Sequence, residues 1–456
     1  MYNFVFNIIL GDKMLKNKNI LIFGFGVTGK SALKFLSDFP CKIYIYDKNL
    51  KIEDLKVSEN FIVFEESDLD DIDLIIKSPG IYPDHEILKK ARNLNIEIIS
   101  DVELAYRFLE NKNIVAITGT NGKTTTTTLV GEILSKEREA YVVGNIGRGI
   151  LDIMNEVSKD DFVVIEASSF QLEDTLKFKP KVALLTYVTS DHLDWHKTVE
   201  NYQNAKFKIF ANQDENDFAI INYEDRELAD KYNIKSKKYY FSTSKFEGSG
   251  AFLDNGEIFF IENNNISKII NVSDIKIPGI HNLKNIMGAI IIAKIFGIND
   301  NVIRDTISSF SGVEHRIEFV DKINDVKYYN DSKGTNPDST EVAINAMDGD
   351  VILIAGGYDK GANFDNLIKN SKDKLKCVVL YGQTAEKISS ICNVYGVKSY
   401  VVENLDKAMK LSEKFARKGE SILFSPACAS WDMYNNYEER GCHFKKLVRE
   451  LKKSET

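Results

Sequence analysis

The chain is poor in cysteine, and the five it has follow no pairing pattern. Cys41, Cys377, Cys392, Cys428 and Cys442 form no C-x-x-C pair and no metal-ligand spacing. This speaks against a disulfide framework or a zinc ribbon and for reduced thiols in a cytosolic protein. Cys428 lies close to a candidate binding loop but carries no sequence cue for nucleophilicity. Excess positive charge is also missing: the formal net charge is −8, so no nucleic-acid surface is indicated, although a local basic pocket could hide within it. Nor is there an apolar run long enough to cross a bilayer. Phe4 to Leu10 is short and has no basic leader, so it reads as a surface extension or as sequence upstream of an alternative start at Met14. Ala289 to Ile298 is interrupted by Lys294 and reads as a buried helix. What remains is a chain of 456 residues, 43% apolar, enough for about three domains of ~150 residues.

The richest segment is Ile114 to Thr125, an apolar strand running into Thr118-Gly119-Thr120-Asn121-Gly122-Lys123-Thr124-Thr125. A glycine-rich turn at a helix N-terminus aims backbone N–H groups at phosphates. Lys123 adds a point charge, and the Thr124 hydroxyl can hold Mg²⁺. The first glycine of G-x-x-x-x-G-K-[ST] would fall at 117, where Ile stands, so this loop is tighter than the standard one. A plain Gly-Lys turn capping a helix is the simpler reading; against it, Thr124 to Thr128 are β-branched, poor helix formers.

Three α/β segments follow in order. The first pairs strand Asn19 to Phe23 with Gly24-Phe25-Gly26-Val27-Thr28-Gly29 and ends a second strand, Lys42 to Tyr46, at Asp47. This G-x-G-x-x-G turn with an acid about 20 residues on is the arrangement of a dinucleotide site. A second turn, Ser78-Pro79-Gly80, could bring further N–H groups to the same ligand or be a simple Pro-Gly turn. In the second segment, strands Phe162 to Ile165 and Val182 to Tyr187 end at Glu166 and at a loop holding Asp191, His192 and His196. Ligands collect at the carboxyl ends of such strands, so Glu166 and His192 should share the crevice of Lys123. A carboxylate and an imidazole beside a triphosphate suit a metal. His196 reads as a solvated or hydrogen-bonded loop residue. From Lys237 to Ser273 the chain reads as an accessory hairpin sheet turning at Asp254-Asn255-Gly256.

In the predicted helix from Val199 to Phe210, Lys206 shares an apolar face with Tyr202, Ala205, Ile209 and Phe210, whereas Lys208 points elsewhere. Such a lysine either snorkels its ammonium to water or holds a desolvated amine of lowered pKa. The third segment, from about Gly312, sends three strands into small or charged loops: Asp331 to Pro337, with Asn336 as a cap and Pro337 as the first helical residue; Gly356 to Gly361; and Ser425 to Asp432. Each alone is a plain connection, but three at one sheet edge favour a site.

Read together, T-G-T-N-G-K-T-T, E-A-S-S-F-Q-L-E (166–173), H-N-L-K-N (281–285), E-H-R (314–316), N-D-S-K-G-T-N (330–336) and S-P-A-C-A-S-W-D (425–432) resemble, in this order, the Mur ligases of bacterial cell-wall synthesis. The resemblance runs from Asn19 to the C-terminus. It implies an α/β fold of three domains: a Rossmann-like UDP-substrate domain (1–112), a central P-loop-type ATPase domain (113–311) and a Rossmann-like amino-acid-binding domain (312–456). It implies ATP and Mg²⁺ as cofactors, and an activity that adds D-glutamate to the carboxylate of UDP-N-acetylmuramoyl-L-alanine through an acyl phosphate. The enzyme would be a cytoplasmic monomer, without nucleic-acid or membrane partners.

On the same resemblance, Val27, Thr28, Asp47 and Gly80 match uridine or diphosphate contacts, and Asn145 a contact to the sugar-peptide end. Gly119, Thr120, Asn121, Gly122, Lys123, Thr124 and Thr125 match the ATP loop, with Asn282 and Asn285 at adenine and Arg316 and Asp331 at ribose and phosphate. Thr124, Glu166 and His192 match metal contacts. Lys206 matches a lysine that CO₂ carbamylates beside the second metal, which would make Lys123, His192 and Lys206 the catalytic set. Lys333, Thr335, Lys360, Ser430 and Tyr437 match acceptor contacts, Phe being more usual at the last. A nicotinamide-dependent dehydrogenase would leave the Lys123 loop and Glu166 without a role, and a nucleotide-dependent binding protein would need neither metal ligands nor the third-segment lysines. Another Mur-type ligase or a folylpolyglutamate-type ligase shares the ATPase core and stands as the alternative.

Overall fold

In the computed structural model, residues 14–48, 61–189, 191–359 and 361–454 are described. The apolar stretch Phe4 to Leu10 and Lys360 lie outside them. The chain separates into two compact units, residues 1–272 with 283–307, and residues 273–282 with 308–456.

The first unit holds two sheets. One is wholly parallel, in the order Phe61–Val63, Lys42–Tyr46, Asn19–Phe23, Leu74–Lys77, Glu97–Ile99. Its strands are short apolar runs because helices cover both faces. The order reverses at Asn19–Phe23, which places the G-x-G-x-x-G turn at the switch point where a ligand crevice opens. The other sheet has nine strands, in the order Asn265–Asn271, Glu257–Glu262, Gly250–Asp254, Lys237–Ser242, Phe218–Asn222, Val182–Leu185, Ile114–Thr118, Phe162–Glu166, Ala140–Gly144. The segment after Lys237 is therefore not a separate accessory sheet: Lys237–Ser242 pairs in parallel with Phe218–Asn222 and extends the central sheet. Two-residue turns at Asn255-Gly256 and Asn263-Asn264, all four at positive φ, close its hairpins, the backbone twist that tight hairpins require. The predicted buried helix is the later part of Ile280–Ile295.

One continuous apolar core runs under both sheets, from Ile20 and Phe108 through Phe178 to Ile221. Buried polar contacts reinforce it. The fully buried Glu103 carboxylate accepts from the amides of Leu176, Lys177 and Phe178 at 2.9–3.0 Å and from Arg107 Nε at 2.9 Å. Lys77 pairs with Asp174 at 2.9 Å, and Gln171 donates to Asp101.

The second unit carries a six-stranded sheet, Glu318–Ile323, Val326–Asn330, Ser421–Phe424, Val351–Ala355, Leu375–Leu380, Ser399–Val401, parallel except for the first pair. Asn336 caps helix Pro337–Ala346 by accepting from Ser339 N, as the sequence predicts. Among the described residues no helix is long and apolar enough to cross a membrane.

Three amides and a guanidinium converge on one desolvated carboxylate at Glu103, so removing it strands the amides, while Arg107 keeps its two-point ion pair with Glu97. Glu103→Ala should cost about 3–5 kcal/mol, read as a lowered urea midpoint for the first unit. A loss under ~1 kcal/mol would show that water satisfies these groups.

Candidate functional site

The centre of the first unit is the turn between Ile114–Thr118 and helix Lys123–Leu134. Gly119 (φ +146°) could not carry a side chain, since a Cβ there would stand 1.8 Å from Thr186 Oγ1; one at Gly122 (φ +83°) would meet Asn285 Oδ1 at 2.3 Å. Both glycines are thus required by backbone conformation and by space. Thr186 Oγ1 donates to Asn121 O, and Thr189 N donates to Thr120 Oγ1, which lies 3.2 Å from Tyr202 Oη. Thr124 and Thr125 are buried in the first helical turn. The run of threonines is helical after all: Thr126 and Thr127 return their hydroxyls to the carbonyls of Gly122 and Lys123.

Lys123 Nζ donates to Gly119 O and Thr120 O, each at 2.9 Å, and Lys206 Nζ donates to the same Gly119 O at 2.8 Å. The two predicted lysines therefore meet at one carbonyl. Lys206 is 2% exposed, which excludes the snorkelling alternative. Its ammonium lies 4.6 Å from the Tyr202 ring centre. Burial, and secondarily the Lys123 charge, hold its pKa well below the ordinary lysine value, with Asp191 and Glu166 pulling the other way. Helix Val199–Phe207 gives way at Lys208 to a 3₁₀ turn, and Lys208 donates to the carbonyls of Glu173 and Thr175.

Glu166 ends its strand 1% exposed; Oε1 accepts from Asn145 Nδ2 at 2.9 Å, while Oε2 is buried with no hydrogen-bond partner. A buried carboxylate oxygen left without a hydrogen-bond partner fits a bound cation. Asn145 thus touches the candidate metal ligand, a closer relation than its match to the sugar-peptide end implies. His192, at φ +50°, is exposed, with its ring 6.2 Å from that of Tyr202 and 5.0 Å from that of Phe170. His196 is buried, not solvated, with Nε2 3.0 Å from Ser169 Oγ. Tyr202, Thr186 and Asp191 belong to this site and were not singled out for it in the sequence; Asp191 beside His192 was the available signal.

In the N-terminal sheet, Asp47 Oδ2 accepts from Phe25 N at 2.7 Å and fixes the glycine turn. Val27 is 81% exposed, Thr28 half-buried and Gly80 open. Ser78 Oγ donates to Gly24 O, so the two turns lie side by side.

In the second unit the three predicted loops leave adjacent strands. Asp331 is buried, accepting from Ile317 N at 3.1 Å and Ser425 Oγ at 2.6 Å; burial pushes its pKa up to about 7 against the pull of Ser425 and Arg316. Lys333 lies over the Tyr437 ring at 5.7 Å. Thr335 is half-buried and Ser430 buried. Lys360 falls outside the described residues. Asn282 donates to Pro278 O at 2.7 Å. Glu314, His315 and Cys442 converge within 4.8 Å, but Lys445 pairs with Glu314 and Asn330 Nδ2 lies 2.9 Å from His315 Nδ1. That donor leaves the imidazole proton on Nε2, facing the other two groups, so this is a hydrogen-bonded cluster more than a metal site.

The chain matches the family models "Mur ligase MurD-like, N-terminal domain" over residues 18–100, "Mur ligase middle domain" over 117–293 and "Mur ligase, glutamate ligase domain" over 315–428. It is 45% identical to a UDP-N-acetylmuramoylalanine–D-glutamate ligase of Thermoanaerobacter sp. (strain X514), covering 96% of this chain and 100% of that protein, and 44% identical to one of Clostridioides difficile (strain 630) at the same coverage. Among solved structures, MurF ligase of Thermotoga maritima in complex with ADP superposes with a TM-score of 0.58 at 17% identity, covering 97% of this chain and 98% of that one. MurC of the same organism gives 0.55 at 20% identity, covering 96% and 100%. These structural likenesses speak to the fold. With all three domains matched in order and the identity extending over nearly the whole chain, the protein belongs to the Mur ligase family.

Proposed function

We propose that this chain is an ATP-dependent amide ligase that joins D-glutamate to UDP-N-acetylmuramoyl-L-alanine in peptidoglycan precursor synthesis, working as a monomer in the cytoplasm. The observation that carries the reading is the meeting of Lys123 and Lys206 at one carbonyl of the glycine turn, with the half-satisfied Glu166 at the end of the neighbouring strand. The relatives' shared name supports the choice of substrates. Five free thiols suit a reducing compartment.

The chemistry follows from charge. A carboxylate is a poor acyl donor because its leaving group would be oxide, so the alanyl carboxylate first takes the γ-phosphoryl group of ATP and ADP departs. The D-glutamate amine, having lost a proton, then attacks the acyl carbon, forming the C–N bond as the C–O bond to phosphate breaks. Lys123 holds transferring phosphoryl oxygens, and the amides of residues 119–125 cradle the polyphosphate. Thr124, Glu166, His192 and a carbamylated Lys206 would hold Mg²⁺, which neutralises phosphate charge when bound. The neutral amine that desolvation leaves on Lys206 is the form that adds CO₂. Its carbamate would turn that neutral amine into an anionic oxygen ligand. Asn282, Asn285, Arg316 and Asp331 are assigned to ATP on the family resemblance. Val27, Thr28, Asp47, Gly80 and Asn145 are assigned to the UDP substrate, and Lys333, Thr335, Lys360, Ser430 and Tyr437 to the acceptor.

Lys123→Ala should lower turnover by ~10²–10³ or more while leaving UDP-substrate binding by calorimetry intact; near-normal phosphate release would refute the assignment. Lys206→Ala should be folded and nearly inactive, with activity partly restored by acetate, which can occupy the vacated space. Lys208→Ala, whose amine only satisfies two carbonyls, should keep the parent's turnover. Full activity of Lys206→Ala without added carboxylate would remove the carbamate. For the acceptor, D-glutamine should be a poor substrate, because a site that pairs a second carboxylate leaves its cations unpaired with the amide. Equal turnover of D-glutamate and D-glutamine would overturn the acceptor assignment.

A further inference from the structure

Helix Tyr437–Ser454 carries Arg440 in its first turn, 1% exposed and among the largest fully buried side chains. The position is electrostatically unfavourable twice over: a helix N-terminus repels cations, and a desolvated guanidinium normally demands a carboxylate. None pairs with it among the described residues. Instead Nε donates to Ser332 Oγ at 3.1 Å, one terminal nitrogen donates to Ala429 O at 3.1 Å, and the other to Ser332 O at 2.9 Å and Cys428 O at 3.1 Å. Burial draws its pKa down from the ordinary arginine value, yet an arginine remains charged in a protein.

The acceptors of these bonds are the point of interest. Ser332 immediately precedes Lys333, and Cys428 and Ala429 immediately precede Ser430. Ala429 O also accepts from Tyr358 N at 2.9 Å, so the third loop is fastened to the same carbonyl. Gly357 packs so closely that a Cβ on it would lie 2.4 Å from Ala429 O and 3.2 Å from the guanidinium. The Ala427 backbone is held at φ +58°, a conformation that a residue with a side chain rarely adopts unless its surroundings impose it. The planar fork of one guanidinium thus bonds the loops of Ser332 and of Cys428 and Ala429 directly and reaches the Gly357–Tyr358 loop through Ala429 O; among the described residues its hydrogen-bond partners are carbonyls and one hydroxyl, and Asp432 favours its charge without an ion pair.

We propose that Arg440 is the positioning residue of the acceptor site. Its fork sets the spacing between the Lys333 and Ser430 segments, and its charge, without a carboxylate ion pair among the described residues, lies beneath them as standing positive potential for a dicarboxylate amino acid. This rests on the assignment of those loops to D-glutamate. Lysine keeps the charge but not the fork, so Arg440→Lys should raise KM for D-glutamate at least 10-fold while changing KM for ATP and for UDP-N-acetylmuramoyl-L-alanine less than twofold. Arg440→Ala should show a larger rise that millimolar guanidinium chloride partly reverses. Ser332→Ala, which removes the hydroxyl that accepts from Arg440 Nε and donates to Tyr437 O, should raise the same KM about three- to tenfold and keeps the test available if the arginine variants fail to fold. An unchanged KM for D-glutamate in folded Arg440→Lys or in Ser332→Ala, with a wild type that uses D-glutamate, would overturn this role alone. A wild type that does not use D-glutamate would overturn the functional reading beneath it.

Discussion

Two lysine amines share the carbonyl oxygen of Gly119, and the central site is organised around that conflict. Held as two cations a few ångströms apart, they would repel by on the order of 3 kcal/mol at an effective dielectric of about 20. The structure relieves the repulsion by desolvating one of them: Lys206 is buried among Tyr202, Ala205 and Phe207, and its pKa is lowered, whereas the less buried Lys123 keeps the ordinary demand of a cation for oxygen partners. The turn tolerates this crowding because Gly119 has no side chain. Thr186 fills the space a Cβ would need and braces Asn121. An anion arriving at Lys123 and a CO₂ adding to Lys206 would both lower the energy of an arrangement that is otherwise short of negative charge.

The same economy links that site to the N-terminal sheet. Glu166 opens the segment whose helix, Ser169–Glu173, follows three residues later. Gln171 donates to Asp101, Asp174 pairs with Lys77 and accepts from Ser100 N, and the chain just beyond presents three amides to Glu103. Lys77 in turn precedes Ser78, which fastens the second glycine turn to Gly24. A short run of residues thus joins the orphan carboxylate to the N-terminal glycine turn through buried charges, and the two sheets share one apolar core.

Much of this was legible in sequence because fully buried parallel strands are short apolar runs that end where ligands bind; Asn19–Phe23 and Lys42–Tyr46 follow the reading to the residue. Lys206 was legible from helical periodicity, although periodicity alone could not choose between snorkelling and burial. The joining of Lys237–Ser242 to the central sheet was not, since a strand's partner is decided by tertiary packing and not by its own pattern. Glu103 and Arg440 were missed for a related reason. Apart from Arg107 beside Glu103 and the Ser332 hydroxyl on Arg440, their partners are backbone groups lying 73–75 and 11–108 residues away, and backbone groups leave no residue-type signature.

Comparing the buried charges separates those that build the fold from those that await a ligand. Glu103 is met by three amides and Arg107, Lys77 by Asp174 and a carbonyl, Asp101 by Gln171: each is matched within the protein, and each lies at the junction of the two sheets. Glu166 retains an unpartnered oxygen, Lys206 gives its amine a single carbonyl, and Arg440 has carbonyls and a hydroxyl but no carboxylate. All three border loops at the carboxyl ends of parallel strands, where an open α/β sheet leaves room for a ligand. Since an unpaired buried charge costs several kcal/mol, its persistence at Glu166 and Arg440 is accounted for if the counter-charge arrives with the ligand, a cation at Glu166 and a dicarboxylate above Arg440, while Lys206 avoids the cost as a neutral amine that can add CO₂.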